Sequence, residues 1–384
     1  MKHFRRLLAK TISSFIINKK TKEQVYQSIA EFSLFDIANI KKFTKTPLRE
    51  NSVLLIETNG CHGEVVSAYF KYFKDLGYNV DILMHTVIFK ENHFSRHDIS
   101  DINIFHVLTT AMHKIFNSEK MNRYKAIIVM TPMNYTFKTK PVLEMFPELN
   151  KFKNLYLIAH NLPDINNNYA KFNQNHIFGL GRRLNNYPCT NPHLFGNLER
   201  NNSKHNITTF ITVGGINPKR KNHNLLISAI QKLIDKNFKF KVIIVGSGTK
   251  LENNNPKLKP YLICPGRQIG EQMFQYMEQA DFFLPLWDDK NPDHKKYRTN
   301  QVSGSPQLIY AFNKIPVVQK EFSEFYDFDN KNSIIYENDN LTEAMEHAIL
   351  MSDSEYKQMY NELDKLSKSV YKESKENIYK LLKQ

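Results

Sequence analysis

The chain has 384 residues, enough for two domains with separate cores, and its 41% hydrophobic content is that of a globular protein rather than a disordered one. Its 53 Lys and Arg against 38 Asp and Glu give a net charge of +15, which favours polyanions or anionic membrane surfaces as partners, although a bias toward Asn, Lys and Ile explains the charge equally well. Three widely spaced cysteines without a C-x-x-C pair exclude a disulfide framework and a cysteine-based zinc site, and they are typical of a reducing compartment.

The first 50 residues are predicted to form a helical segment that begins with a basic amphipathic stretch over residues 1–20. Its apolar residues recur at helical spacing among cations: Phe4, Leu7, Leu8, Ile12, Phe15 and Ile16, with Arg5, Arg6, Lys10, Lys19 and Lys20. Such a stretch either lies on an anionic membrane surface or packs as a terminal helix on its own domain. No signal-peptide cleavage site follows, and no apolar run approaches the roughly 20 residues that span a bilayer. We therefore expect a cytoplasmic protein, with peripheral attachment to the inner face of the cell membrane as the functional use of this stretch.

From residue 51 to about 195, apolar runs of strand length alternate with helical patterns. "SVLLIETNG" reads as a strand that ends in a turn, and the following helical pattern places these residues on one face: Val66, Tyr69, Phe70, Phe73 and Leu76. "NVDILMH", "YKAIIVMTP" and "NLYLIAHNLPD" read as further strands. Near-continuous apolar strands separated by helices predict a parallel sheet covered on both faces, which we interpret as an N-terminal Rossmann-like domain, 51–195.

A second series of the same kind is predicted over residues 208–350. Asn- and Pro-rich sequence between about 165 and 207 interrupts the alternation, and we place a linker at 196–207. Strand patterns then resume with "TTFITVGG", "FKVIIVGSG", "YLICPG", "DFFLPLW" and "IPVVQK", a helix is predicted over 222–236, and residues 351–384 read as a helical tail. Two α/β sandwiches in tandem with a cleft between them are the simplest architecture, and ligands of open α/β sheets bind outside the carboxyl ends of the strands.

The first strand-to-helix junction of this second series is suited to an anion. In "VGGINPKRK", Gly214 and Gly215 remove side chains at the strand end, while Arg220 and Lys221 crowd the start of the next helix. Free amides and the helix dipole favour negative charge at such a place. The same stretch is also compatible with a tight turn and solvated lysines, so it does not decide the function alone.

Two further junctions carry small residues at the same expected edge of the sheet. "VGSG" contains Gly246 and is a common structural turn when taken alone. "VSGSPQLIYAF" offers the hydroxyls and amides of Ser303, Gly304 and Ser305 ahead of a helix, with Ser305 expected as the N-cap. Three such junctions on one sheet edge favour a binding site for a diphosphate.

The order of these elements resembles the C-terminal half of a GT-B glycosyltransferase, closest to the bacterial family-4-like enzymes that build surface polysaccharide or lipopolysaccharide. The resemblance rests on "VGGINPKRKNHNLLISAI", "KVIIVGSG", "CPGR…ADFFLPL" and "SGSPQLIYAFNKIPVV", and it covers roughly 207–350, with 51–165 similar by pattern only. It implies two Rossmann-like domains facing each other across a cleft and metal-independent, hexosyltransferase-like chemistry. It also implies a nucleotide-sugar donor bound by the C-terminal domain and a lipid-linked or lipopolysaccharide glycan as acceptor.

The resemblance further implies roles for particular residues. Donor binding is assigned to Gly214, Gly215, Arg220, Lys221, Gly246, Arg267, Ser303, Gly304, Ser305 and Gln307. In the family an arginine follows the glycine that matches Gly214, and because Gly215 stands there, Arg220 or Lys221 is expected to contact the diphosphate. The paired glutamates of the family, eight positions apart, fall on Thr299 and Gln307, so an amide replaces a carboxylate that would hold ribose hydroxyls.

The N-terminal domain is expected to contribute the acceptor side and the reactive groups. "NGCHGE" places His62 and Glu64 on the loop after the first strand, and "IAHNLPD" places His160 at another strand end. A histidine or carboxylate there is suited to deprotonate or orient an acceptor hydroxyl. Taken singly, each histidine is more often a hydrogen-bonded structural residue, and only its position at a strand end makes it a catalytic candidate.

Two other functions remain open from the sequence. A sugar-nucleotide epimerase shares the two-domain fold, and a non-catalytic nucleic-acid-binding protein would account for the charge and the many aromatic residues. No RNP, KH, zinc-finger or helix-turn-helix pattern supports the second, so no nucleic-acid partner is expected. The D-x-D at Asp327 and Asp329 lies late in the chain, and no other acidic cluster resembles a metal site, so neither a metal nor another cofactor is expected.

Overall fold

The computed structural model describes residues 10–11, 14, 34–136, 139–181, 184, 187–248 and 256–383. The predicted amphipathic stretch over residues 1–20 therefore lies outside the described residues, apart from Lys10, Thr11 and Ser14. In the described part of the chain, no helix is both long enough and apolar enough to cross a membrane.

The described residues alternate between strands and helices, as the sequence predicts. The strands are β1 (Ser52–Glu57), β2 (Asn79–His85), β3 (Asn103–Val107), β4 (Ala126–Val129), β5 (Met133–Asn134), β6 (Lys140–Pro141), β7 (Leu155–Ala159), β8 (Ile177–Gly179), β9 (Thr208–Val213), β10 (Phe240–Val245), β11 (Leu262–Gly266), β12 (Phe282–Phe283), β13 (Ile315–Gln319) and β14 (Ile334–Tyr336). The helices are α1 (Leu34–Lys45), α2 (Gly63–Asp75), α3 (Thr86–Lys90), α4 (Met112–Phe116), α5 (Val142–Met145), α6 (Leu162–Asn168), α7 (His223–Asp235), α8 (Glu271–Glu278), α9 (Pro292–Lys295), α10 (Ser305–Phe312), α11 (Lys320–Ser323), α12 (Leu341–Leu350) and α13 (Asp353–Lys383).

The first sheet has six strands in the order β3-β2-β1-β4-β7-β8. Strand β1 pairs in parallel with β2 and with β4, in a register that sets Val53 beside Val80 and Ala126. Every residue of β1 and β4 is buried, which is why these strands read as unbroken apolar runs rather than as alternating ones. The predicted parallel sheet of the N-terminal half is confirmed.

The second sheet also has six strands, in the order β11-β10-β9-β12-β13-β14, and its strand pairs are parallel. Helix α7 buries Leu226, Ala229, Ile230 and Leu233, a spacing that places all four on one helical face. Because all pairs are parallel, the carboxyl ends of the strands share one edge of this sheet. The predicted architecture of two parallel-sheet α/β domains is thus confirmed.

The chain forms two compact units. The first comprises the described residues up to Val66 together with Phe73–Glu91 and Ile99–Ile158, and the second comprises Ser67–Tyr72, Asn92–Asp98 and the described residues from Ala159 onward. Arg96 holds its short segment within the second unit, because its guanidinium donates to the carboxylates of Glu271 and Glu278 on α8 at 2.7–3.1 Å. The boundaries proposed from the sequence, 1–50, 51–195, 196–207, 208–350 and 351–384, stay predictions.

Candidate functional site

Glycine turns follow three neighbouring strands of the second sheet. The Gly214 amide after β9 donates to the Val245 carbonyl at 2.8 Å, and the Gly246 amide after β10 donates to the Gly266 carbonyl at 2.9 Å. These bonds join the carboxyl ends of β9, β10 and β11 into one continuous edge. The turns of the first two predicted junctions therefore lie side by side, next to Gly266 at the end of β11.

Two kinds of glycine occupy this edge. A Cβ at Gly246 would lie 1.8 Å from the Gly214 oxygen, and Gly214 has a φ of +132°. Close backbone packing thus requires glycine at position 246, and the left-handed backbone conformation favours glycine at position 214. By contrast, a Cβ at Gly215 would meet nothing closer than the Ser247 oxygen at 4.0 Å. Gly215 leaves open space, which is the property needed where a ligand approaches the backbone.

The ammonium of Lys221 is buried at this edge. Its side chain is 5% exposed, its Nζ donates to the Pro285 carbonyl at 2.9 Å, and a Cβ at Gly214 would lie 3.2 Å from its Cε. Burial lowers the pKa of Lys221 to about 7. An ammonium has three donors, and the described residues provide Lys221 with this one acceptor and no carboxylate. A buried cation without a counterion is costly, so the site is suited to an anion that takes the remaining donors.

The neighbouring Arg220 is exposed and lies against Tyr297. Burial raises the pKa of Tyr297, while the charge of Arg220 and its hydrogen bond to the phenol oppose the rise. The backbone oxygen of Tyr297 accepts from the Tyr326 hydroxyl at 2.6 Å, and that hydroxyl is in turn hydrogen-bonded by the backbone of Ser303. This chain of contacts connects the basic loop with the backbone of Ser303.

The third junction differs from the prediction by one residue. Helix α10 begins at Ser305, its N-cap is Gly304, and the Ser305 amide donates to the Ser303 hydroxyl at 3.2 Å. Ser305 is therefore a helical residue rather than the cap, because the hydroxyl of Ser303 takes over the local hydrogen bond. Gly304 is exposed with open space around it, and the nearest atom to a Cβ there would be Oε1 of the buried Gln307, at 4.0 Å.

His160 lies beside this third junction. The His160 carbonyl accepts from the Val302 amide at 3.1 Å, and the Leu162 amide donates to the Asn300 carbonyl at 2.8 Å. The residues 160–162 are thus paired with residues 300–302, which directly precede Ser303. Arg267, exposed directly after Gly266, lies at the far end of the same sheet edge, beyond β10.

His62 and Glu64 form a pair at the start of α2, in the first unit. His62 Nδ1 lies 3.5 Å from Glu64 Oε1, and His62 has a φ of +67°, a strained value for a residue with a side chain. Burial lowers the pKa of His62, but Cys61 and Glu64 outweigh it and raise the pKa well above the ordinary value. A protonated imidazole is suited to orient an acceptor or donate a proton, whereas the carboxylate of Glu64 is the better base of the pair.

Glu57 is a residue of this region that the sequence analysis missed. It lies fully buried at the end of β1, where its Oε1 accepts from the Asn59 amide and side chain, both at 2.8 Å, and its Oε2 accepts from the Thr131 hydroxyl at 2.5 Å. Burial raises the pKa of Glu57 to about 7. These bonds fix the loop that carries His62, and the only signal in the sequence was an acidic residue closing an otherwise apolar strand.

Among the described residues, no group of three or more His, Cys, Asp or Glu side chains is arranged to hold a metal ion. The edge formed by the carboxyl ends of the second sheet's strands offers a buried lysine, an exposed arginine, two helix N-termini and open backbone amides. Groups of this kind are suited to an anion such as a diphosphate, which they would hold through hydrogen bonds and positive charge.

Comparison with known proteins shows which proteins the chain is similar to. Residues 207–292 match the sequence model of the family described as Glycosyl transferases group 1. No curated protein matches the chain. Among solved structures, the chain is similar to a glycosyltransferase from Rickettsia africae ESF-5 (12% identity, 87% of this chain and 98% of that one covered, TM-score 0.53).

Two further structures show the same likeness. One is Anabaena HepE in complex with UDP and glucose (10% identity, 87% of this chain and 100% of that one covered, TM-score 0.51). The other is an alpha-glucosyltransferase in complex with UDP and a DNA 13-mer (12% identity, 87% and 99% covered, TM-score 0.57). With two parallel-sheet α/β domains and these neighbours, the fold of the chain is that of the GT-B glycosyltransferases.

Proposed function

We propose that the chain is a glycosyltransferase that moves a sugar, of the hexose class, from a nucleotide-sugar donor to a glycan acceptor. The observation that carries the proposal is the buried, carboxylate-free ammonium of Lys221 beside the open backbone of Gly215. A donor diphosphate would supply the counterion that the described residues do not provide. The match of residues 207–292 to a glycosyltransferase family model supports the same assignment.

The leaving group determines what the site has to do in the reaction. When the bond from the sugar to the diphosphate breaks, negative charge grows on the departing phosphate, and fixed cations and amides aimed at it lower the barrier. Lys221, Arg220 and the N-termini of α7 and α10 are the groups proposed to carry this charge. Because they supply positive charge without an ion, the proposed reaction is metal-independent.

The proposed acceptor is a glycan of bacterial surface polysaccharide or lipopolysaccharide synthesis. The net charge of +15 supports an anionic acceptor or membrane surface. His62 and Glu64 are the residues proposed to orient and deprotonate its hydroxyl, with Glu64 as the base. His160, beside the Ser303 turn, is proposed to contact the donor sugar. The proposed location is the cytoplasm, at the inner face of the cell membrane.

Calorimetric titration with nucleoside diphosphates tests the donor assignment. UDP is the first probe, because two of the similar structures contain it, and GDP, ADP and dTDP complete the panel. We expect sub-millimolar binding of at least one diphosphate and weaker binding of the matching monophosphate. Incubation of the matching nucleotide sugar without acceptor separates the alternatives, since an epimerase converts the sugar while the nucleotide stays attached. Salt-sensitive binding of RNA without diphosphate binding would contradict the proposal.

A further inference from the structure

The segment 285–294, here called the clamp segment, is bonded to the basic loop 217–222 from two sides. On one side, the Pro218 carbonyl accepts from Asn291 Nδ2 at 2.9 Å and from His294 Nε2 at 3.0 Å. On the other side, the Asp288 carboxylate accepts from Asn222 Nδ2 at 2.8 Å. The basic loop is therefore held by side chains that follow β12, the strand next to β9.

The clamp segment also contacts Lys221 directly, through a strained turn. Leu286 is 2% exposed and has a φ of +56°, which is an uncommon conformation for a large side chain. This turn directs the Pro285 carbonyl at Lys221 Nζ (2.9 Å) and the Leu286 carbonyl at the Asn222 amide (2.8 Å). Strain of this kind persists only where the surrounding structure enforces it, and it occurs often at functional sites.

His294 is fixed in one tautomer by its two partners. Its Nδ1 accepts from the Asp288 amide at 3.0 Å, so its Nε2 carries the proton that is donated to the Pro218 carbonyl. The side chain is fully buried. A second proton on Nδ1 would break the bond from the Asp288 amide. The neutral ring is therefore the form that bonds to both Asp288 and Pro218.

We propose that the clamp segment positions Lys221 for the diphosphate of the donor, with His294 and Asn291 as positioning residues that act through the Pro218 carbonyl. The inference rests on the proposed function, since it assigns a device that prepares the same anion site. The polar sequence "DDKNPDH" is, in this view, a part of the donor site rather than a solvated connection.

The test uses two substitutions of His294, each of which keeps a different one of its two hydrogen bonds. His294→Gln places its amide nitrogen near the position of the imidazole Nε2 and retains the bond to Pro218, whereas His294→Asn retains only an acceptor for the Asp288 amide. The measurement is UDP affinity between pH 6 and 10, by calorimetry on the full chain. We expect His294→Asn to bind UDP about three- to tenfold more weakly at pH 7, and His294→Gln to stay within about twofold of the unsubstituted chain.

The fall of UDP affinity at alkaline pH distinguishes a role of His294 in positioning Lys221 from a role in general stability. Burial lowers the pKa of Lys221 to about 7, so affinity should fall as the pH rises through that value. In His294→Asn, release of Lys221 toward water restores a higher pKa, and this fall in affinity should move to higher pH. The charged and titratable groups around His294 are Asp288, Asp293, Lys221, His223 and Tyr297, and none of them is changed by either substitution.

Asn291→Asp tests the same contact to Pro218 at a position that is not fully buried, so the conclusion does not depend on whether the His294 variants fold. Asn291 is partly exposed and caps α9 by accepting from the Asp293 amide at 2.9 Å, a role that Asp retains while losing the donor to Pro218. Weakened UDP binding with the alkaline fall in affinity moved to higher pH in His294→Asn and Asn291→Asp, with rescue by His294→Gln, supports the proposal. Unchanged affinity in both, or an equal loss in all three with the alkaline fall unmoved, overturns it. Absence of diphosphate binding by the unsubstituted chain contradicts the proposed function itself, and the inference with it.

Discussion

Replacing Lys221 by Met separates the function of its ammonium from the packing of its side chain. Met fills a similar volume in the buried slot beside Gly214, but it offers no charge to an anion. A charge-assisted hydrogen bond contributes about 1.5–3 kcal/mol, so UDP affinity should fall about 10- to 100-fold. The loss should appear in a calorimetric titration at pH 6.5, where the ammonium is mostly protonated.

The same substitution should stabilise the unliganded protein. The ordinary pKa of 10.5 is lowered to about 7 by burial, so between these values the unfolded chain binds a proton that the folded chain has released. The free energy of unfolding therefore rises with pH from about 7 to 10.5, and at pH 6.5 the buried charge carries its full cost. At 1.36 kcal/mol per pKa unit the upper bound of this cost is about 5 kcal/mol. Because Met also loses the bond to Pro285, we expect a net gain of about 1–3 kcal/mol, or several degrees in Tm.

Thermal unfolding at pH 6.5 and pH 10 measures this effect. The gain of Lys221→Met over the unsubstituted chain should be largest at pH 6.5 and nearly absent at pH 10. Lys241→Met is the matched control, because Lys241 also donates to a proline carbonyl, that of Pro260 at 2.6 Å, but does so at the surface. A Lys221→Met protein that is destabilised equally at both pH values, or that binds UDP as tightly as before, would refute the reasoning.

Three further predictions address the backbone, the metal and the membrane. Gly246→Ala should prevent correct folding of the second unit, because its Cβ would lie 1.8 Å from the Gly214 oxygen. Gly215→Ala should fold normally, because its Cβ would meet open space, but it should weaken UDP binding. Circular dichroism measures the folding of both variants, and calorimetric titration measures their UDP affinity. Turnover should persist in excess EDTA, and its loss with recovery on adding magnesium or manganese would make Asp327 and Asp329 candidate ligands. The full chain should co-sediment with anionic vesicles at low salt more strongly than a chain without residues 1–20, and equal sedimentation would contradict a membrane role for this stretch.

The sequence predicts the second sheet well because its strands are buried on both faces. Strands β9 and β10 are unbroken apolar runs, and α7 has the regular spacing of a helix with one buried face. Strand β3 at the edge of the first sheet was not predicted, because Asn103 and His106 interrupt its pattern and only part of it is buried. Short edge strands lack the continuous burial that allows central strands to be predicted from the sequence.

The sequence also singles out the glycines and cations of the proposed donor site, but it does not show how their structural settings differ. The sequence shows two adjacent glycines, but it does not show that the backbone conformation favours glycine at Gly214 whereas Gly215 leaves open space. It likewise shows a cluster of cations, but it does not show that Lys221 is buried. The carbonyl of Pro285, which accepts from the Lys221 ammonium, is 64 residues away in the sequence. Contacts of this separation depend on the neighbouring positions of β9 and β12 in the sheet, which no local pattern contains.

Release of free nucleoside diphosphate from a panel of nucleotide sugars tests the central claim most directly. The unsubstituted chain and Lys221→Met are compared at pH 6.5, with and without a candidate glycan acceptor. We expect the unsubstituted chain to release diphosphate from at least one nucleotide sugar, acceptor to accelerate this release, and Lys221→Met to lower the rate at least tenfold. Equal rates for the two proteins, or no release from any nucleotide sugar together with no diphosphate binding, would contradict it.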